Sequence, residues 1–145
     1  MSEQQIPSQL AEIRDDFLDL ELRDRLQLLL EFANELPDLP DRYRDHPDLF
    51  ERVEECQSPV FIFIEVDNDV VHMYATAPAE APTTRGFASI LVQGLSGLSS
   101  AEVLDLSDDY PQSLGLSQAV SPLRLRGMTG MLARAKRQIR LKTVV

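Results

Sequence analysis

The sequence predicts an α+β fold, a small antiparallel β-sheet of about three strands packed against several helices. Three observations carry this. Apolar residues recur at helical spacing toward both ends of the chain. Between them, Val60–Val66 is β-branched and aromatic almost throughout, as a strand buried on most of its length would be. Turn residues then separate it from a second short run, which makes a hairpin. The order of helices, then sheet, then helices argues against a wound parallel sheet. A chain of 145 residues fits one domain, 1–145, with an ordered core of about 8–140.

Leu10, Ile13 and Phe17 mark a short amphipathic helix after Pro7-Ser8. A second helix is expected from about Glu21 to Glu35, with Leu22, Leu26, Leu29, Leu30 and Ala33 as its apolar stripe and Leu28 to the side. Pro37 ends it, because proline breaks the helical hydrogen bonding and restricts the residue before it. Residues 37–50 hold Pro37, Pro40 and Pro47 among acids and read as an extended loop. Glu51-Arg52-Val53 suggests a short edge strand. The strand Val60–Val66 follows, then a turn at Asp67-Asn68-Asp69 and a returning strand from Val70 to Ala75.

After the loop Thr76–Pro82 the period changes from 2 to 3.6, and Phe87, Ile90, Leu91 and Leu95 line a helix from about Thr83 to Ser96. Ser99 and Glu102 are spaced as a capping box at the start of a short helix through Leu106. A further turn covers Tyr110–Leu114 and closes at Gly115. Ser121-Pro122 begins the last helix, with serine as cap and proline where its missing N–H has no intrahelical partner to lose. Leu125, Met128, Leu132, Ala135 and Ile139 form its buried stripe.

The formal net charge is −10, unevenly spread. Residues 1–55 carry sixteen acids against six bases, whereas no acid follows Asp109 and seven bases do. An acidic body disfavours nucleic acid, whose affinity comes mostly from phosphate neutralisation. The basic last helix reads as a solvated face whose cations suit the helix C-terminal dipole. No window approaches the roughly 18 apolar residues of a membrane helix. The start, Met1-Ser2-Glu3-Gln4-Gln5, has no signal-peptide pattern, so a cytoplasmic protein is expected, with organelle import after loss of a transit peptide compatible with it.

One cysteine rules out an internal disulfide, a Cys-rich zinc site and a C-x-x-C redox pair. Two histidines, His46 and His72, suggest no metal centre; His72 reads as an ordinary strand residue. A lone cysteine is commonly a small buried hydrophobe. Cys56, however, lies off any apolar stripe, between Glu54-Glu55 and Gln57-Ser58-Pro59, in a polar loop leading into a strand, where functional residues concentrate. The thiolate is the reactive form, and adjacent carboxylates oppose it. A carboxylate about 6 Å away in water contributes about 0.7 kcal/mol, so two of them keep the thiol mostly protonated at neutral pH. Gln57 and Ser58 are expected to shape the loop through side-chain to backbone hydrogen bonds.

Cys56-Gln57-Ser58 ahead of a hydrophobic strand resembles the C-Q-S signature of the SufE family of sulfur-acceptor proteins. Glu35-Leu36-Pro37-Asp38-Leu39-Pro40 is similar to its L-P-x-L-P segment, and Arg85-Gly86-Phe87 to its basic-Gly-apolar helix start. Ser99-Ser100-Ala101-Glu102-Val103-Leu104 resembles its T-P-x-E-I-L segment, Leu114-Gly115-Leu116 its L-G-L, and Ser121 to Met128 its S-P-x-R-x-N-G-L motif. The likeness runs in order over about residues 8–140. The chain departs from the pattern at Glu55, where glycine is usual, at Phe61, where tryptophan or tyrosine is common, and at Arg126, where asparagine or glutamine is usual. The acidic-Ala pair usual before the basic-Gly step is missing around Pro82-Thr83-Thr84.

The resemblance implies a SufE/IscU-like fold. It implies that Cys56 accepts persulfide sulfur and that Arg124 is a functional basic residue beside it, with Glu55, Gln57 and Ser58 as the supporting loop. It further implies a cysteine desulfurase of the SufS type as partner, which this chain stimulates, and iron–sulfur scaffold proteins as recipients. Such a protein is an accessory to an enzyme; the partner uses PLP and this chain needs no metal or cofactor. A monomer or weak dimer is the expected state. Two other functions compete with this one: an adaptor that binds a partner while Cys56 is merely structural, and a cluster scaffold, which needs several thiolates where this chain has one.

Overall fold

Three antiparallel strands, β1 (Glu51–Arg52), β2 (Phe61–Asp67) and β3 (Val70–Thr76), lie in the order β1-β2-β3 in the computed structural model, which describes residues 6–143. The start Met1–Gln5 and the last two residues of the predicted domain lie outside the described residues. β2 and β3 form a hairpin in register from Phe61↔Thr76 to Asp67↔Val70. The connection is two residues, Asn68 and Asp69, both at positive φ (49° and 63°). Such a turn matches the twist of the strands, and Asn and Asp tolerate it best after glycine.

Among the described residues, seven helices surround the sheet: α1 (Ser8–Leu18), α2 (Leu22–Asn34), α3 (Asp41–Arg44), α4 (Pro82–Leu95), α5 (Ser100–Asp105), α6 (Tyr110–Ser113) and α7 (Pro122–Thr143). α4 and α7 cover the inner face of the sheet, and α2 packs on the far side of α4. The fold class matches the α+β expectation. The core runs from Ile62, Ile64, Val71 and Met73 through Phe87, Ile90 and Leu91 to Met128, Leu132 and Ala135. The capping box is made as expected, with Glu102 N–H donating to Ser99 and Ser99 N–H to Glu102. Ser121 caps α7 by accepting from Arg124 N–H at 3.2 Å.

Four expectations need correction. Residues 37–50 are not an extended loop; they hold α3 and a 3-10 turn at Pro47–Leu49. This segment crosses the outer face of the sheet, where Tyr43 packs on Phe63 and Tyr74, and Phe50 on Phe63. β2 is accordingly not buried along most of its length. It alternates, with Ile62 and Ile64 inside and Phe61, Phe63 and Glu65 half-buried beneath that cover. In α2 the stripe is shifted: Leu22 is exposed, Leu30 is only half-buried, and Phe32 joins Leu29 and Ala33 in the core, stacked on Phe17.

The basic helix is the fourth correction, since only part of its charge is a solvated face. Lys136 is buried and bonded to Leu106 O and Asp108. Gln138 and Lys142 satisfy the edge of β2 beyond the two-residue β1: Gln138 Oε1 accepts from Ile64 N–H at 2.8 Å, and Lys142 donates to Ile64 O. A strand backbone has one donor and one acceptor per residue, and burial makes leaving them unpaired expensive. Helix α7 therefore does the work that a longer β1 would have done.

Candidate functional site

The loop between β1 and β2 is pinched at its base. Val53 N–H donates to Val60 O at 2.9 Å, and both valines are fully buried. Cys56 N–H turns back onto Val53 O at 3.1 Å, so the chain reverses tightly between them. That reversal points the cysteine side chain inward, against α7. Helix α7 makes room by having no side chain at two positions of one face. A β-carbon on Gly127 would lie 3.0 Å from Cys56 Sγ, and one on Gly130 would lie 2.7–2.8 Å from the Glu55 side chain.

Cys56 is 8% exposed, though it sits in the polar loop the sequence placed it in. Cys56 nevertheless lines a surface pocket of about 130 Å³. Glu55, Gln57 and Ser58 come to it from the same loop, Glu80 and Ala81 from the turn ahead of α4, Thr84 from the first turn of α4, and Leu123 and Arg124 from the first turn of α7. The five residues singled out in the sequence are thus brought to one place. Arg124 is exposed at the rim. Among the described residues Gln57 and Ser58 make no side-chain hydrogen bond, so the expected loop-shaping bonds are absent, and the pinch at Val53 and Val60 shapes the loop instead.

Burial is the main force on the thiol. It pushes Cys56 up from 9.0 to about 11, with the Glu55 charge adding and Arg134 opposing. The sequence credits the neighbouring carboxylates with this effect; desolvation outweighs them because a thiolate loses its water in the apolar wall. At pH 7 about one molecule in ten thousand then carries the thiolate.

Arg134 is the residue that sequence reasoning missed. Its Nε donates to Glu55 Oε1 at 2.8 Å, and its terminal nitrogen to Glu51 Oε2 at 2.8 Å. Arg137 and Gln138 also reach Glu51, at 3.3 and 3.0 Å. Arg134 holds the Glu55 carboxyl below its ordinary range, against the opposing effect of burial. A signal was present: Gly127, Gly130 and Arg134 fall at i, i+3 and i+7 on one helix face, and glycine inside a helix usually marks a close approach.

No helix among the described residues is long and apolar enough to cross a membrane. Over 136 residues, 93% of this chain and 94% of the relative, the sequence is 50% identical to an uncharacterized SufE-like protein of Mycobacterium tuberculosis. It is 30% identical over 132 residues, 89% of this chain but 34% of the relative, to SufE-like protein 1, chloroplastic/mitochondrial, of Arabidopsis thaliana. The fold matches the solution structure of a hypothetical protein from Thermus thermophilus, with TM-score 0.82 and 36% identity over 94% of this chain and 97% of that one. Residues 11–139 match the family model of SufE, the Fe-S metabolism associated domain, and the chain therefore belongs to the SufE family, whose role lies in sulfur transfer or Fe–S metabolism.

Proposed function

We propose that this protein accepts sulfur on Cys56 from the persulfide of a PLP-dependent cysteine desulfurase, stimulates that enzyme by unloading it, and delivers the sulfur for iron–sulfur cluster assembly. One observation carries the reading: the chain's single cysteine lines a surface pocket with Arg124 at its rim. The step balances without oxidant or metal. Cys56 gives up its proton, and its thiolate attacks the outer sulfur of the donor persulfide. A new S–S bond forms on Cys56 as the donor's S–S bond breaks, and the donor leaves as thiolate, which takes up the proton. Arg124 is suited to steady the anionic sulfur, because its guanidinium is always charged and presents several donors.

A resting thiol at about 11 fits a carrier that reacts only inside a complex, where the partner opens the loop and takes the proton. The acidic first half of the chain favours docking on a basic rim, with affinity that falls as salt rises.

The burial of Cys56 favours a second reading, an adaptor whose cysteine is only structural. The two separate cleanly. Incubation with a desulfurase, cysteine and PLP, followed by intact-mass measurement, gives an adduct of about +32 Da, one sulfur atom, if transfer occurs. Cys56→Ser loses the adduct and the stimulation. A wild-type protein that binds the desulfurase and never gains the mass leaves the adaptor reading in possession.

A further inference from the structure

Cys56 is 8% exposed and its sulfur is turned against Gly127 of α7, so lifting the loop from α7 would present the thiol more fully for the reaction proposed above. What resists lifting can be found bond by bond. The base at Val53 and Val60 is fixed by burial and by a backbone hydrogen bond, and acts as the hinge. Beyond it, among the described residues, one side-chain hydrogen bond joins residues 54–59 to the rest of the molecule, that of Glu55 to Arg134. The Glu55 side chain lies in the notch left by Gly130, directly above the contact of Cys56 with Gly127. Arg134 is itself anchored by Glu51 and keeps that partner when Glu55 departs. The pair is arranged to part at one side without stranding the arginine.

We propose that Glu55 and Arg134 form a clasp that holds the cysteine loop on α7 and limits how often the thiol is reachable. Arg134 is a positioning residue here; it touches neither donor nor thiol. This regulation rests on the sulfur-acceptor reading for its purpose but not for its test.

The test uses an opposition of signs. The Arg134 charge favours the Cys56 thiolate, so removing it makes the thiol chemically less reactive. Opening the clasp makes it more accessible. Native alkylation of Cys56 by iodoacetamide, followed by intact mass across a pH series, therefore speeds up in Arg134→Gln if the clasp governs and slows down if chemistry governs. The expected gain is about two- to fivefold, the scale of a partly exposed ion pair. Arg134→Lys restores part of the protection. Arg140→Gln, an equal charge change outside the network, leaves the rate as in the wild type.

An unchanged or slower rate in a folded Arg134→Gln, or an equal acceleration in Arg140→Gln, overturns the clasp. If Arg134→Gln fails to fold, the wild type decides it. Raising salt from about 50 mM to about 1 M speeds its alkylation, after correction against free cysteine, and no salt effect rejects the proposal. Wild-type protein that never takes up sulfur, beside an accelerated Arg134→Gln, discards the acceptor reading and keeps the clasp; the reverse result discards the clasp alone.

Discussion

The Cys56 sulfur rests against bare backbone at Gly127, so near that a single methyl group there would lie 3.0 Å from it. A methyl group at that distance would be tighter than ordinary van der Waals packing, so the Cys56 side chain or its loop would have to shift. Gly127→Ala gains up to about 1 kcal/mol of helix propensity and loses about 1–3 kcal/mol to overpacking. A modest net destabilisation is expected in urea unfolding, together with faster alkylation of Cys56. A variant as stable as wild type with an unchanged alkylation rate would show that the loop does not sit where this contact places it.

Stability should fall at alkaline pH because of the same thiol. Its ordinary value is 9.0 and its folded value about 11. Below 9 both states hold the proton and the full stability is present. Between 9 and 11 the unfolded chain releases the proton while the folded one keeps it, so stability declines by an amount of order 2 kcal/mol. Tyr110, also pushed up by burial, titrates on the same side, so the comparison that matters is with Cys56→Ala. Chemical denaturation at stepped pH should show a shallower alkaline decline in that variant.

Gln138 supplies the acceptor for a buried strand N–H at Ile64. Gln138→Leu keeps the volume and removes the acceptor, leaving an unsatisfied donor worth about 1–3 kcal/mol. Equilibrium urea unfolding reads this loss, and a neutral result would mean that water reaches the edge.

Arg124 is exposed, and among the described residues its side chain makes no hydrogen bond or ion pair, while its backbone N–H donates to the α7 cap. Arg124→Ala should therefore leave stability within about 0.5 kcal/mol. On the acceptor reading, sulfur loading by a desulfurase falls about fivefold or more, as for one interface arginine of hot-spot rank. Loading at the wild-type rate would remove Arg124 from the site.

The elements themselves were legible because their signals are local. The period of Leu125 to Ile139, the Ser99 capping box and the Asp67–Asp69 turn each lie within a few residues, and each is present. The site was legible in part: one loop carried Glu55 to Ser58, and motif likeness added Arg124. Long-range packing was not. Which way Cys56 turns depends on missing side chains at Gly127 and Gly130, more than 70 residues away. Residues 37–50 looked like a loop because their prolines and acids say so, and only the aromatic face of β2 and β3 gives Tyr43 and Phe50 something to fold onto.

The last turns of α7 have a consequence for chain integrity. Gln138 and Lys142 act as a selvedge on β2, closing a ladder that β1 is too short to close. A protease cut after Ala135 would strip that border and bare an unpaired apolar strand margin. Bare margins of this kind recruit other chains. Trimming this terminus, the most cationic stretch of an acidic protein, should therefore produce self-association, and with it a loss of stability from the missing fully buried Ile139.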